Sequence, residues 1–243
     1  MRTRTGTLAA GAAVGALLLS GCGGTAGAAA FVGDDRIADA TVQDWVHSAL
    51  ADRPEQAQPV DVPSFTRQVL SVLVREPLLA DTAERLGVPV DDKTIQQAVA
   101  PVVESAGGRD AYEENLRLSG VPEDYLDVWV NVEGMQRILA DGLVSDREIS
   151  QDELRAVWVN DPQLSQIPFE QAEPEIRRYL LAQDSGQLLL SELRATADSL
   201  GVDVSQRYGT FDEVNLSVVA AMPATVRPPG TVDLSLGNKV APQ

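Results

Sequence analysis

The sequence predicts a mainly α-helical protein with a little β-structure near its two ends, and three observations carry that reading. Apolar residues recur at i, i+3 and i+4 over most of the middle of the chain. Helix stop and start signals separate those stretches. Strand-like runs occur only near residues 29–37 and 202–211.

In chain order, Ala29-Ala30-Phe31-Val32, the turn Gly33-Asp34-Asp35 and Arg36-Ile37-Ala38 form a small hairpin. Thr41 is placed to N-cap a helix with Val42, Trp45, Val46 and Ala49 on one face, ending before Pro54. A proline-containing linker, Arg53 to Pro63, follows. Ser64 opens a long periodic segment through Phe65, Val69, Val72, Leu73, Leu79, Ala83 and Leu86 that stops at Gly87. Pro77 lies inside it and should kink or split that helix, because proline lacks the backbone donor and crowds the preceding turn.

Asp91 or Asp92 caps the next helix, which carries Ile95, Val99, Val102 and Val103 and ends at Gly107-Gly108. Arg109 to Leu118 is a short helix closed by Gly120 and Pro122. Pro122 to Leu143 is the clearest amphipathic segment, with Tyr125, Val128, Trp129, Val132, Met135, Ile138 and Leu139 in one stripe. Ser150 and Glu153 form a capping box for a helix running to Asn160. After a break from Pro162 to Pro168, a last helix runs from Phe169 to Gly201 through Ile176, Tyr179, Leu180, Leu188, Leu189 and Leu193. Val202-Asp203-Val204 and Tyr208 to Phe211 are extended. Beyond Asn215 no helical period remains, and residues 213–243 are expected to be a mobile or partly docked tail.

The N-terminus carries a separate message. Arg2 and Arg4 precede an apolar run from Leu8 to Leu19, too short to span a bilayer as a helix, and Leu19-Ser20-Gly21-Cys22 follows. The arrangement resembles a bacterial lipobox. Residues 1–21 then act as an export signal, the Cys22 thiol receives a diacylglyceryl group, and Gly/Ala-rich residues 22–30 serve as a flexible tether. The resemblance places the protein on the extracytoplasmic face of the bacterial cell membrane, anchored by acyl chains.

Composition excludes several functions. The formal net charge is −17, and removing residues 1–21 takes away two arginines and no acid, moving it to −19. Such a surface repels phosphate backbones, so nucleic acid is not a partner. Cys22 is the only cysteine and His47 the only histidine. No disulfide, zinc site or thiol–imidazole pair can be assembled from them. Asp34-Asp35, Asp91-Asp92 and Glu113-Glu114 lack the alternating spacing of a calcium loop. The reading is therefore no catalytic residue, no metal and no cofactor.

Four segments carry a wider likeness. Phe31-Val32-Gly33-Asp34-Asp35-Arg36-Ile37 opens the chain's ordered part, and Val144-Ser145-Asp146-Arg147-Glu148-Ile149 precedes a helix ending at Asn160-Asp161. Phe169 to Leu180 and Arg207-Tyr208-Gly209-Thr210-Phe211-Asp212 complete the set. Together they resemble the N-terminal chaperone domain of the SurA, PrsA and trigger-factor group, over residues 31–212. The resemblance implies an open multi-helix domain built from N- and C-terminal arms. In that family a parvulin prolyl isomerase domain would lie between Asp161 and Phe169. The seven residues present cannot form one.

The function this implies is chaperone-like: an enzyme-free, membrane-anchored lipoprotein holding unfolded or exported client proteins, without isomerase activity. Tyr125, Trp129 and Met135 are the candidate client contacts, although a stripe at helical spacing also serves as core. The alternative is a scaffold subunit of a cell-envelope assembly, binding one partner and having no chaperone activity.

Overall fold

The computed structural model describes residues 27–51 and 59–221. The expectations for residues 1–21, for Cys22 and for the tail after Ala221 lie outside the described residues.

β1 (Ala28–Val32) and β2 (Asp35–Ala38) form the expected hairpin, turning at Gly33 with φ 56°. The strand starts inside the stretch read as tether: Ala28, Ala29 and Ala30 are buried, and Ala28 and Ala30 pair with neighbouring strands. β3 (Val202–Val204) adds to the other edge of β1, pairing Ala30 with Val204 and Val32 with Val202. The two ends of the fold thus meet in one sheet of order β2-β1-β3. The expected pairing of N- and C-terminal arms is present.

α1 (Asp39–Ala51) begins two residues ahead of Thr41, directly from β2. α2 (Val62–Leu86) begins two residues ahead of Ser64, with Pro63 in its first turn, where a missing N–H costs nothing. It continues through Pro77 as one helix, contrary to a split. An internal proline costs about 3 kcal/mol, whereas each of Leu70, Leu73, Val74, Leu78 and Leu79, all buried around it, returns roughly 1.5–3 kcal/mol. Packing on both sides of the proline holds the helix together.

α3 (Asp92–Ser105) is capped by Asp91 and Thr94 in a reciprocal box. α4 (Arg109–Leu118) has the expected bounds. The Pro122 to Leu143 segment divides into one 3-10 turn, Glu123–Tyr125, and α5 (Leu126–Leu143). α5 lies so close to α3 that a Cβ on Gly134 would sit 2.7 Å from Ile95 Cγ2. α6 (Gln151–Asn160) keeps the Ser150–Glu153 box, and α7 runs from Phe169 to Leu200.

The single closing strand expected near Tyr208 to Phe211 is instead one half of a second hairpin, β4 (Thr210–Asp212) and β5 (Ser217–Val219). Gly209, with φ 132°, is required there, since a Cβ would fall 1.9 Å from the Val219 carbonyl oxygen. The tail is docked at least this far. Leu216 and Val218 are buried, and the Val218 N–H donates to Ser71 Oγ on α2 at 2.8 Å.

Two separate cores result. The larger joins α1 to α5, the sheets and the C-terminal part of α7 through Leu189, Leu193 and Ala197. The smaller consists of Ile149, Leu154, Phe169, Ala172 and Ile176, from α6 and the N-terminal part of α7. α7, about 48 Å long at 1.5 Å per residue, belongs to both. We call the two units the body and the arm.

Candidate functional site

The arm is a helical hairpin closed at its tip by Asp161 to Pro168. Asp161 Oδ1 accepts from the N–H groups of Gln163 and Leu164, which fixes the 3-10 turn Leu164–Gln166. Trp158 Nε1 donates to the Ile167 carbonyl at 3.0 Å, and its ring meets Phe169 edge-on at 5.9 Å. Arg155 lies over the Phe169 ring at 5.0 Å.

At the arm's base, Arg147 is shared between Glu153 at 2.5 Å and Asp184 at 2.9 Å, tying the start of α6 to the middle of α7. Arg147, with the Ser150 N–H and hydroxyl, pulls the Glu153 carboxyl down to about 2. Arg177 and Gln151 likewise hold Glu173 below its ordinary value.

Between the two helices and the tip loop runs an open groove of about 660 Å³, lined by Val157, Leu164, Ile176, Tyr179 and Leu180 with Asp161 and Glu175 at its edges. Tyr179, on its wall, is 57 % exposed, and Val159, elsewhere on α6, is 66 % exposed. Ile167 and Leu188 continue this exposed set along the arm. Uncovered apolar groups gathered about a groove favour contact with another apolar chain.

A second groove, of about 450 Å³, crosses the body between α2, α5 and α7. Trp129, Val72, Val132, Ala140 and Leu189 give it apolar walls, and Arg75, Glu133, Gln136 and Arg137 give it polar ones. Glu133 is already engaged, accepting from Tyr112 at 2.6 Å and from Arg137 at 2.9 Å.

The sequence-derived client contacts separate accordingly. Tyr125 is inside the body, stacked on Trp45 at 4.6 Å, and its hydroxyl, with one proton to give, lies 3.0 Å from Asp44 Oδ2 and 3.1 Å from the Thr41 carbonyl oxygen. Burial and the Asp44 carboxylate push that hydroxyl up to about 12. Met135 is also in the core. Both are spent on packing α5 against its neighbours. Trp129 alone of the three keeps a half-open face, on the body groove.

The arm groove was not singled out in the sequence, because α7 reads there as one continuous stripe. Its signal is the phase of that stripe. Ile176 and Leu189 are 13 positions apart, which at 100° per residue turns them about 140° from each other. One helix therefore shows different sides to the two cores and leaves Tyr179 and Leu188 outside both.

His47 is exposed on α1, and Cys22 lies outside the described residues. Among the described residues, no helix is long and apolar enough to cross a membrane, and no group of three or more His, Cys, Asp or Glu is placed to hold a metal ion.

A model of the SurA-like N-terminal domain matches residues 5–127, just over half of the chain. Neither the curated proteins nor the solved structures include a match. The matched domain is a non-catalytic one with a chaperone-like role and a general capacity for client proteins, and a parvulin domain is not detected. The match spans the sheet's first hairpin, α1 to α4 and the start of α5, in the order the structure gives them, and the chain belongs to the SurA-like N-terminal domain family.

Proposed function

We propose that the protein is an extracytoplasmic lipoprotein, anchored through acyl chains on Cys22, that holds unfolded segments of exported proteins and has no isomerase activity. The observation that carries the holding role is the arm groove, where Tyr179 stands exposed beside Val157, Leu164 and Leu180. Weak, non-directional apolar contact suits clients of many sequences. A net charge of −19 after loss of residues 1–21 keeps the carrier itself dispersed while apolar groups remain open. The membrane anchor rests on the lipobox-like Leu19 to Cys22 and would keep the groove close to chains emerging from export.

The test is suppression of aggregation. The full chain should keep several unrelated unfolded proteins soluble, and Val159→Ser with Tyr179→Ser should remove most of that protection while leaving the thermal midpoint within about 2 °C, since exposed positions change stability by only about 0.5 kcal/mol. Protection of no client, together with one stable co-purifying envelope protein, would favour the scaffold alternative. Acceleration of proline isomerisation in a peptide would contradict the enzyme-free reading. Labelled palmitate should enter the protein and fail to enter Cys22→Ser.

A further inference from the structure

Arg75 sits in the body groove with no ion pair and no hydrogen bond to any described residue, although it is half-buried between Val72, Trp129 and Leu189. Among the described residues most other arginines are engaged: Arg85, Arg109, Arg117, Arg137, Arg147, Arg177, Arg178 and Arg207 each hold a carboxylate. A guanidinium drawn out of water normally takes an anionic partner, because its desolvation is otherwise uncompensated. Burial lowers the Arg75 pKa with nothing opposing it. The carboxylate in the groove lining, Glu133, is already committed to Tyr112 and Arg137. In a chain of net charge −17, this groove offers an unneutralised cation on an apolar floor.

We propose that this groove is a binding site for the carboxyl-terminal end of a protein chain, with Arg75 taking the terminal carboxylate and Trp129, Val132 and Leu189 taking apolar side chains of the last residues. Charge complementarity selects an anion, and a guanidinium fork matches the two oxygens of a carboxylate. The Gln136 amide on the same wall can both donate to and accept from a peptide backbone, a pairing that a fatty acid's hydrocarbon tail would leave unused. The site is separate from the arm groove and does not depend on it.

The experiment compares two synthetic peptides with the same apolar and aromatic sequence, one ending in a free acid and the other in an amide, titrated calorimetrically into the full chain. The free acid should bind at least tenfold more tightly. Arg75→Gln should erase that preference, and Trp129→Ala should weaken both peptides. Because Arg75 holds no partner among the described residues, Arg75→Gln should fold normally, checked by its unfolding midpoint, and Arg75→Lys should retain part of the preference.

Equal binding of acid and amide, or a preference that survives Arg75→Gln, overturns the proposal. So does displacement of the peptide by decanoate at lower concentration, which would make the groove a lipid site. The Val159→Ser and Tyr179→Ser chain separates the two functional readings. If it loses aggregation protection but keeps the acid preference, the body site stands without the arm; if the native chain protects clients with no acid preference, only the body site falls.

Discussion

The body and the arm are built from contacts of opposite range. The body closes by pairing β1 with β3, so that Ala30 meets Val204, and by Gln43 donating to the Tyr208 hydroxyl, which itself donates to Asp39. The arm closes entirely within residues 147–184, its small core formed by segments that follow one another in the chain. Long-range closure carries a larger chain-entropy cost but draws on a far larger buried surface. Local closure is cheap, and so is local opening. The difference suits each unit to the task proposed for it: the body would preserve the shape, and the arm would present apolar surface and yield around a client.

The largest expected effect comes from emptying each core in turn. Leu79 and Leu154 are both fully buried leucines, one in each unit. Leu79→Ala should lower the global unfolding free energy by about 3 kcal/mol, as buried leucine truncations do. Leu154→Ala should cost a similar local amount, yet raise amide hydrogen exchange only across α6, the tip loop and the N-terminal part of α7. Equal loss of protection in α2 and α5 would show that the two cores unfold as one and would break the comparison.

A smaller effect tests where the boundary lies along α7. Thr82 donates to the Leu78 carbonyl at 2.7 Å, so the 2.8 Å contact between Thr82 and Thr196 is made by the Thr196 hydroxyl donating. Both hydroxyls are fully buried, and Arg85 binds Glu192 one turn away at 2.5 Å. Thr196→Val should cost about 1 kcal/mol, seen as a lower denaturant midpoint at unchanged slope. A double-mutant cycle with Thr82→Val should give a coupling of about 1 kcal/mol. Zero coupling would leave Leu189, Leu193 and Ala197 alone to fix the C-terminal part of α7 to the body.

Much of this division is written in the residues, though not all of it in a form that periodicity reveals. The bounds of α4, α6 and α7 and the Ser150–Glu153 box follow from caps and breaks that act within a few residues. α2 defied its proline because the deciding energy lies in Leu70, Leu78 and Leu79 meeting other elements. The β4–β5 hairpin was hidden because its register depends on Gly209 and on a buried Leu216 held at φ 50°, a conformation set by tertiary packing and not by local preference. Tyr125, Trp129 and Met135 share one helical face, but a face does not tell core from groove. That distinction belongs to what α1, α2 and α3 place against it. The arm groove needed the phase between Ile176 and Leu189, a property of two distant positions.

The smallest effect is also the most selective, because it uses charge to loosen the arm ahead of the body. Glu153, held by Arg147 and by Ser150, has its carboxyl lowered from an ordinary 4.5 to about 2. A carboxyl whose value falls on folding contributes stability that is fully present above its unfolded value and is lost as pH drops toward its folded value. The Glu153 contribution therefore disappears between about pH 4.5 and pH 2, and Glu173, also lowered by its Arg177 partner, acts in the same direction. The body has lowered carboxyls of its own at Asp91 and Asp212, but these hold a helix start and a turn that its large core also secures. Amide exchange followed as pH is reduced from 6 to 2.5 should show α6 losing protection before α2 and α5. Glu153→Gln should reproduce part of that loss at pH 6 and flatten the arm's response to acid. Protection of α6 that persists to pH 2.5, or that vanishes together with the body's, would mean that the Arg147 clamp does not set the arm's stability, leaving its five buried apolar residues to do so alone.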